Sequence, residues 1–411
     1  MKSFLRELTG DKLALIIFMA SIILTASAHG QELSEQFILS RTNAIGGAFT
    51  AIANDENAAW ANPAGIVRIR KARSRKTVSL VKLPSVQVGA NSTSDTFLEV
   101  ITADNIPDQL ASKGESLASK PVWSMASGTA IAMFDFNGIP TMIGAYSHAT
   151  IKAVLASKDS LYAKTDVVSD VGGILSLAVT NRSNRVSWGL NVRSVGRYAY
   201  QDNILLTTFA DSEQLTAELT NNANLSSAIA IDTGFIMTMA DFWYPTIGVA
   251  IINLPLSCKD EYLNQFSMKR ETVCGTVFSG NFSNPDATST VDPSNIKAGI
   301  SISPRITRKF GMRIAVDIHN MHTTSGTQNY GLSGIPFLKK THFGIEFYTG
   351  NPLTPSPFVV GIGYSQSFWT AGLSARLPYL SLELSSFARD TSTTDTPVED
   401  RRYMAGVAID F

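Results

Sequence analysis

Asp317, His319, His342, Glu346 and Tyr348 are the residues of this chain best suited to do chemistry. Carboxylates beside imidazoles are metal ligands or acid–base partners when they converge. These five occupy alternate positions in two segments, Phe310 to His319 and Thr341 to Thr349, so paired strands would turn them to one side as a polar cluster. The simpler reading is the polar interior of a barrel, where such pairs are ordinary structural partners. No Gly-x-Ser-x-Gly elbow, His-Glu-x-x-His helix or phosphate-cradling loop accompanies them. An enzyme is not expected, nor is a bound metal or a cofactor.

Six basic residues crowd a nine-residue stretch: Arg68, Arg70, Lys71, Arg73, Arg75 and Lys76. The bland reading is a solvated or salt-bridged run that orients its segment. The sharper one is an anion site, for instance for the carboxylate of an amphipathic ligand. Both remain open from the residues. The whole chain carries 34 basic and 34 acidic side chains, a balance with no electrostatic footprint for nucleic acid.

The elements that position these residues begin with an export signal. Lys2, Arg6 and Lys12 precede an apolar run from Leu13 to Thr25, which ends in Ala26-Ser27-Ala28. This reads as a secretory signal peptide over 1–30, cleaved after Ala28 or Gly30, because a spanning helix needs about 20 apolar residues. Removing it leaves 31 basic and 32 acidic residues. In an exported chain the two cysteines, Cys258 and Cys274, read as a disulfide, worth about 3 kcal/mol for a loop of roughly 15 residues. They lack the Cys-x-x-Cys spacing of a redox pair, and no histidine lies near them.

Beyond the signal, period-two alternation recurs in pieces of about 9 to 11 residues, the length of a tilted transmembrane strand. Phe310, Met312, Ile314, Val316 and Ile318 alternate with Gly311, Arg313, Ala315, Asp317 and His319. Val186, Trp188, Leu190 and Val192 alternate with Ser187, Gly189, Asn191 and Arg193 in the same way. A soluble, exported all-β binding protein would also alternate. Two features favour the membrane. The last strand sets Tyr403, Ala405, Val407, Ile409 and Phe411 on one face and stops on that phenylalanine. It resembles the closing strand of outer-membrane barrels, which implies outer-membrane lipid and the barrel-assembly machinery as partners. The connections also sort by parity. With about fourteen strands over 77–411, even-numbered connections such as Asn137-Gly138 and Leu377-Pro378 are all short, while the long ones, near 91–120, 201–224, 255–293, 321–340 and 390–400, are all odd. The expected fold is all-β: a transmembrane antiparallel barrel of about fourteen strands.

Residues 31–76 do not alternate. Their small-residue stretch carries Gly46-Gly47, Asp55-Glu56 and then Asn62-Pro63-Ala64-Gly65, a compact segment ending in a turn and suited to plug a barrel. Here the sequence resembles the FadL, PorV and TraF-like outer-membrane proteins, which open with a Gly-rich stretch, an acidic pair and Asn-Pro-Ala-Gly. Pro245 to Leu254, Ala315 to Ile318 and His342 to Tyr348 are similar to the PorV and TraF side of that group. The resemblance implies a fourteen-stranded barrel with an N-terminal hatch in its lumen. It implies either uptake of small hydrophobic or amphipathic molecules or an accessory role with secretion-system proteins, in secretion, surface attachment or conjugation. On the first reading, Gly46-Gly47 and Asn62–Gly65 are where the hatch would loosen.

Loop parity fixes an orientation that can be tested. A protease site inserted at Asn284 or Thr394 should be cut from outside intact cells, and one at Asn137 should not; the reverse pattern would show that the strand count is off by one.

Overall fold

A computed structural model of the chain describes residues 37–72, 78–155, 157–183, 185–262, 270–281, 291–307, 309–321, 337–391 and 397–410. The signal segment 1–30, Arg73, Arg75, Lys76 and Phe411 lie outside these residues. Fourteen antiparallel strands close into a barrel. Its first half runs β1 Val78–Asn91, β2 Val122–Phe136, β3 Ile139–Leu155, β4 Tyr162–Thr180, β5 Val186–Leu205, β6 Asn224–Thr238 and β7 Thr246–Ile252. An outer excursion follows, with β8 Ser257–Tyr262, β9 Arg270–Val277, β10 Ser279–Asn281 and β11 Val291–Pro293. The wall resumes with β12 Asn295–Ile302, β13 Phe310–Ile318, β14 Thr341–Thr349, β15 Phe358–Ser365, β16 Phe368–Arg376, β17 Leu380–Asp390 and β18 Glu399–Asp410. Strand β7 meets β12, and β1 meets β18 with Val86 opposite Val407, so every barrel strand has two neighbours.

The alternation decides which face meets lipid. Trp188, Val192, Ile300, Phe310, Phe347, Ile362, Val407 and Ile409 are exposed on the outside, while Asn191, Arg193, Arg313, Asp317, His342 and Glu346 are buried in the lumen. Asn137 and Gly138 both take positive φ, 51° and 88°, which is the geometry that lets two residues join β2 to β3. The Asp135 carboxylate accepts from Gly138 N at 2.6 Å and fixes the turn.

The wall is uneven. Strands β2 to β5 have 15, 17, 19 and 20 residues, against 9, 9, 8 and 9 for β13 to β16. The tall side carries helices that the alternation does not announce. Within the segments expected as outer loops, Ser92–Ile101 and Ile106–Ser119 are helical, as are Leu206–Ala210 and Ser212–Asn222. Asn91 caps the first of these by accepting from Ser94 N, and Asp211 caps the last by accepting from Glu213 N and Gln214 N. Phe97, Val100, Ile101, Leu110 and Leu117 pack with Val122, Leu155 and Leu206 into a second apolar cluster. This cluster satisfies the apolar faces of the helices above the membrane belt.

The N-terminal segment fills the lumen with three short helices: α1 Ser40–Ala44, α2 Ala58–Ala61 and α3 Ile66–Ala72. Between α2 and α3, Asn62 caps a 3₁₀ turn over Pro63–Gly65, its Oδ1 accepting from Ala64 N at 3.2 Å. The turn lies flat against the wall because the facing positions have no side chain. A Cβ on Gly189 would fall 2.3 Å from the Pro63 carbonyl carbon, and one on Gly234 would fall 2.0 Å from Asn62 Oδ1.

Gly234→Ala should therefore displace Asn62 and cost about 1–3 kcal/mol, as overpacking does. A lowered melting temperature in detergent is the expected result, and an unchanged one would show that the turn does not depend on this contact.

Candidate functional site

The hatch is held by charge as well as shape. Arg41, at the second position of α1, reaches across the lumen to Glu346 of β14, with Nε to Oε1 at 2.9 Å and Nη2 to Oε2 at 3.0 Å. The same guanidinium pairs with Asp55, and Arg313 of β13 pairs with Glu346 from the other side. Two cations thus share a wall carboxylate, and the acid of the hatch compensates one of them. Burial disfavours the Arg41 charge, but Glu346 and Asp55 outweigh it and raise its pKa. The second acid, Glu56, accepts from Arg376 of β16 at 2.6 Å and pairs with Lys82 of β1.

The residues singled out in sequence lie on β13 and β14 or next to them, with Asp317 opposite His342 and Arg313 opposite Glu346. They hold the hatch. Asp317 Oδ2 accepts from Thr50 N at 2.6 Å, His342 Nδ1 contacts the Gly46 carbonyl, and the rings of His319 and His342 stack at 3.9 Å. Gly46 and Gly47, at φ of 63° and 88°, are buried against this wall, and Asn62 Nδ2 donates to the Thr50 and Phe235 carbonyls at 2.8 and 3.2 Å. The stretches expected to loosen are thus buried and bonded among the described residues.

Of the basic run, Arg68 has a described side chain. Its guanidinium is buried in the hatch and donates to the Ala51 and Ala53 carbonyls and to Thr238 Oγ1 at 3.2, 3.4 and 3.3 Å. Burial, with the neighbouring charge of Arg313, pushes its pKa down to about 9. Arg70 and Lys71 lie on α3, and the rest of the run lies outside the described residues.

Above the hatch, in the half of the barrel that carries the long loops, lies a cavity of about 240 Å³. Phe37 and Trp60 of the hatch and Trp123 of β2 give it an aromatic floor and side. Its charged lining is five cations, Lys152, Arg197, Lys297, Arg389 and Arg402, against three anions, Asp166, Asp170 and Asp292, and Arg402 is also paired with Asp400. Arg402 stacks over the Trp123 ring at 4.6 Å, and the buried Trp123 indole N–H has no acceptor among the described groups. A small three-stranded sheet of β8, β9 and β11 roofs one side, with Asp292 and Pro293 of β11 in the lining. Cys258 and Cys274, at paired positions of β8 and β9, form the expected disulfide. Arg197 ties this roof to the wall by two bidentate pairs, with Asp170 of β4 at 2.7 and 2.7 Å and with Asp292 at 2.6 and 2.9 Å.

Sequence reasoning missed the aromatic lining, the partners of Glu56 and the role of Arg197. Period-two inward placement marked Arg193 and Arg313 as luminal, yet nothing in one sequence pairs Arg41 with a residue 305 positions away.

The hatch salt bridges give a pH dependence. Burial pushes the Glu56 carboxyl up, but Arg376 and Lys82 outweigh it and hold it well below the usual carboxylate range. Its docking contribution is therefore complete above its unfolded pKa of about 4.3 and is lost as pH falls from there toward its lower folded value. Limited proteolysis of the hatch should accelerate between neutral pH and pH ~3, and Glu56→Gln should already be accelerated at neutral pH. Equal cleavage of both proteins at both pH values would contradict this.

No protein-family model matches the chain, and no curated protein matches it. Among solved structures it is similar to a deletion mutant of the TodX monoaromatic hydrocarbon channel, at 9% identity and a TM-score of 0.50, over 91% of this chain and 98% of that one. It is also similar to the toluene transporter TbuX of Ralstonia pickettii, at 13% identity and a TM-score of 0.50, over 92% and 98%. A FadL homologue of Pseudomonas aeruginosa aligns over 94% and 98% at 8% identity and a TM-score of 0.35. The first two likenesses are of fold, and the chain has the fold of FadL-like outer-membrane barrels.

Proposed function

We propose that this protein is an outer-membrane uptake channel for small amphipathic molecules with an apolar body and an anionic head, closed at rest by its hatch. The observation that carries this reading is the outer cavity. Its rings offer an apolar body dispersion and stacking contacts. Its lining carries more cations than anions, Lys297 and Arg389 among them, which favours an anionic head. The fold supports transport as well, since the TodX and TbuX structures it resembles are described as a hydrocarbon channel and a toluene transporter.

The test uses full-length protein in liposomes and 1-naphthalenesulfonate, a ring compound whose permanent charge keeps it from crossing lipid unaided. Entry should exceed that into protein-free liposomes, and Arg389→Gln should lower it roughly tenfold, the loss of one charge-assisted contact. Entry equal to that into protein-free liposomes would defeat the uptake reading. If cells lacking the protein also strand exported proteins in the periplasm, the secretion role takes its place.

A further inference from the structure

The hatch is fixed to the wall at many points, yet a second cavity lies on its other side. It measures about 40 Å³, room for a few waters, and sits between the hatch and strands β1, β2, β17 and β18. Its wall residues, among them Lys82, Ser85, Ser381 and Glu383, lie near the short-turn ends of their strands. It therefore occupies the half of the lumen opposite the long loops. Of all the residues that line the two cavities, one lines both: Trp60.

Trp60 sits on α2 between two clamped stretches, with Asp55 and Glu56 in salt bridges before it and Asn62 bonded to wall carbonyls after it. The indole itself is held differently. It lies in the main apolar cluster of hatch and wall, with the Phe37 ring tilted against it at 4.2 Å and the Tyr146 ring edge-on at 5.0 Å, and no hydrogen bond restrains it among the described residues. Tyr146 is anchored through its hydroxyl, which donates to the Ser194 carbonyl at 3.1 Å. A ring held by apolar contacts alone can change rotamer at the cost of those contacts, whereas moving the backbone would break several buried ion pairs together.

We infer that Trp60 is the gate of this channel: its indole separates the outer cavity from the inner one, and rotation of that side chain joins them while the hatch stays docked. This rests on the uptake reading and deepens it. The path runs along the hatch on the side of β1, β2, β17 and β18. Its inner stretch is lined by hydroxyls, Glu56, Lys82 and Glu383, a polar lining that disfavours a bare hydrocarbon.

The experiment compares wild type, Trp60→Ala, Trp60→Phe and Trp369→Ala in the same liposomes with 1-naphthalenesulfonate. Trp369 faces lipid, and its removal controls for loss of a tryptophan. If the open rotamer is a minor state of 0.1–10%, Trp60→Ala should raise entry roughly ten- to a thousandfold. Trp60→Phe should raise it less, Trp369→Ala should leave it at the wild-type rate, and added indole should slow Trp60→Ala while leaving wild type unaffected. Entry through Trp60→Ala at the wild-type rate, with wild type above protein-free liposomes, would overturn the gate and spare the channel. No entry through any of the four overturns the channel and the gate with it. Should Trp60→Ala fail to fold, wild type labelled with 5-fluorotryptophan still decides. Its Trp60 resonance, assigned with Trp60→Phe, should shift as 1-naphthalenesulfonate is added, and an unmoved resonance during measurable entry would refute the gate.

Discussion

Inside a bilayer a peptide group has no water to bond, and each one left unpaired costs several kcal/mol. That constraint shapes the whole molecule. It requires a sheet with no edge, so β1 must find β18 and β6 must reach β12 through the seven residues of β7. It also forces the alternation, because a closed sheet in lipid has one face that must be apolar and one that need not be. The side chains freed on the inner face are then polar, and in a lumen largely filled by protein they need partners too. The hatch provides them: Arg41 meets Glu346, and Asp55 and Glu56 meet Arg376, with Glu56 also paired to Lys82.

The same logic explains why the fold was legible and the site only in part. Strand β13 was readable because every second residue from Phe310 to Ile318 answers to lipid and the others to the lumen, a periodicity local to nine residues. Asn137-Gly138 was readable because positive φ at two successive positions is a property of those residues. The four outer helices were missed because a search for alternation passes over helical periodicity in segments already taken as loops, although the caps Asn91 and Asp211 were there to see. Asp317, His342 and Glu346 share one face because neighbouring strands are joined by register. Their partners were not legible. Arg41 and Thr50 reach them only through the threading of the hatch, and no pattern within one chain encodes that distance.

The cavities belong to a further level. They are what remains after hatch and wall have packed, so their lining is drawn from β1, β2, β3, β4, β5, β7, β11, β12, β17 and β18 at once. Trp60 and Trp123 look like ordinary core residues in sequence, and by burial they are. Their distinction is what lies on their far side.

The hatch also constrains the order in which the molecule can be made. Glycines 189 and 234 hold the Asn62–Gly65 turn from one half of the wall, while Glu346 and Arg376 hold Arg41 and Glu56 from the other. A barrel that closed empty would have to admit three helices and a cluster of charges through an opening as narrow as its own lumen. The segment made first must instead wait, with its charges in water, until strands some 300 residues later arrive to meet it. Contacts of such sequence separation are slow to form because the loop-closure entropy is lost before the contact compensates it. The final pairing of β1 with β18 is then the step that traps the hatch, and the seam of the barrel doubles as the point at which its interior becomes permanent.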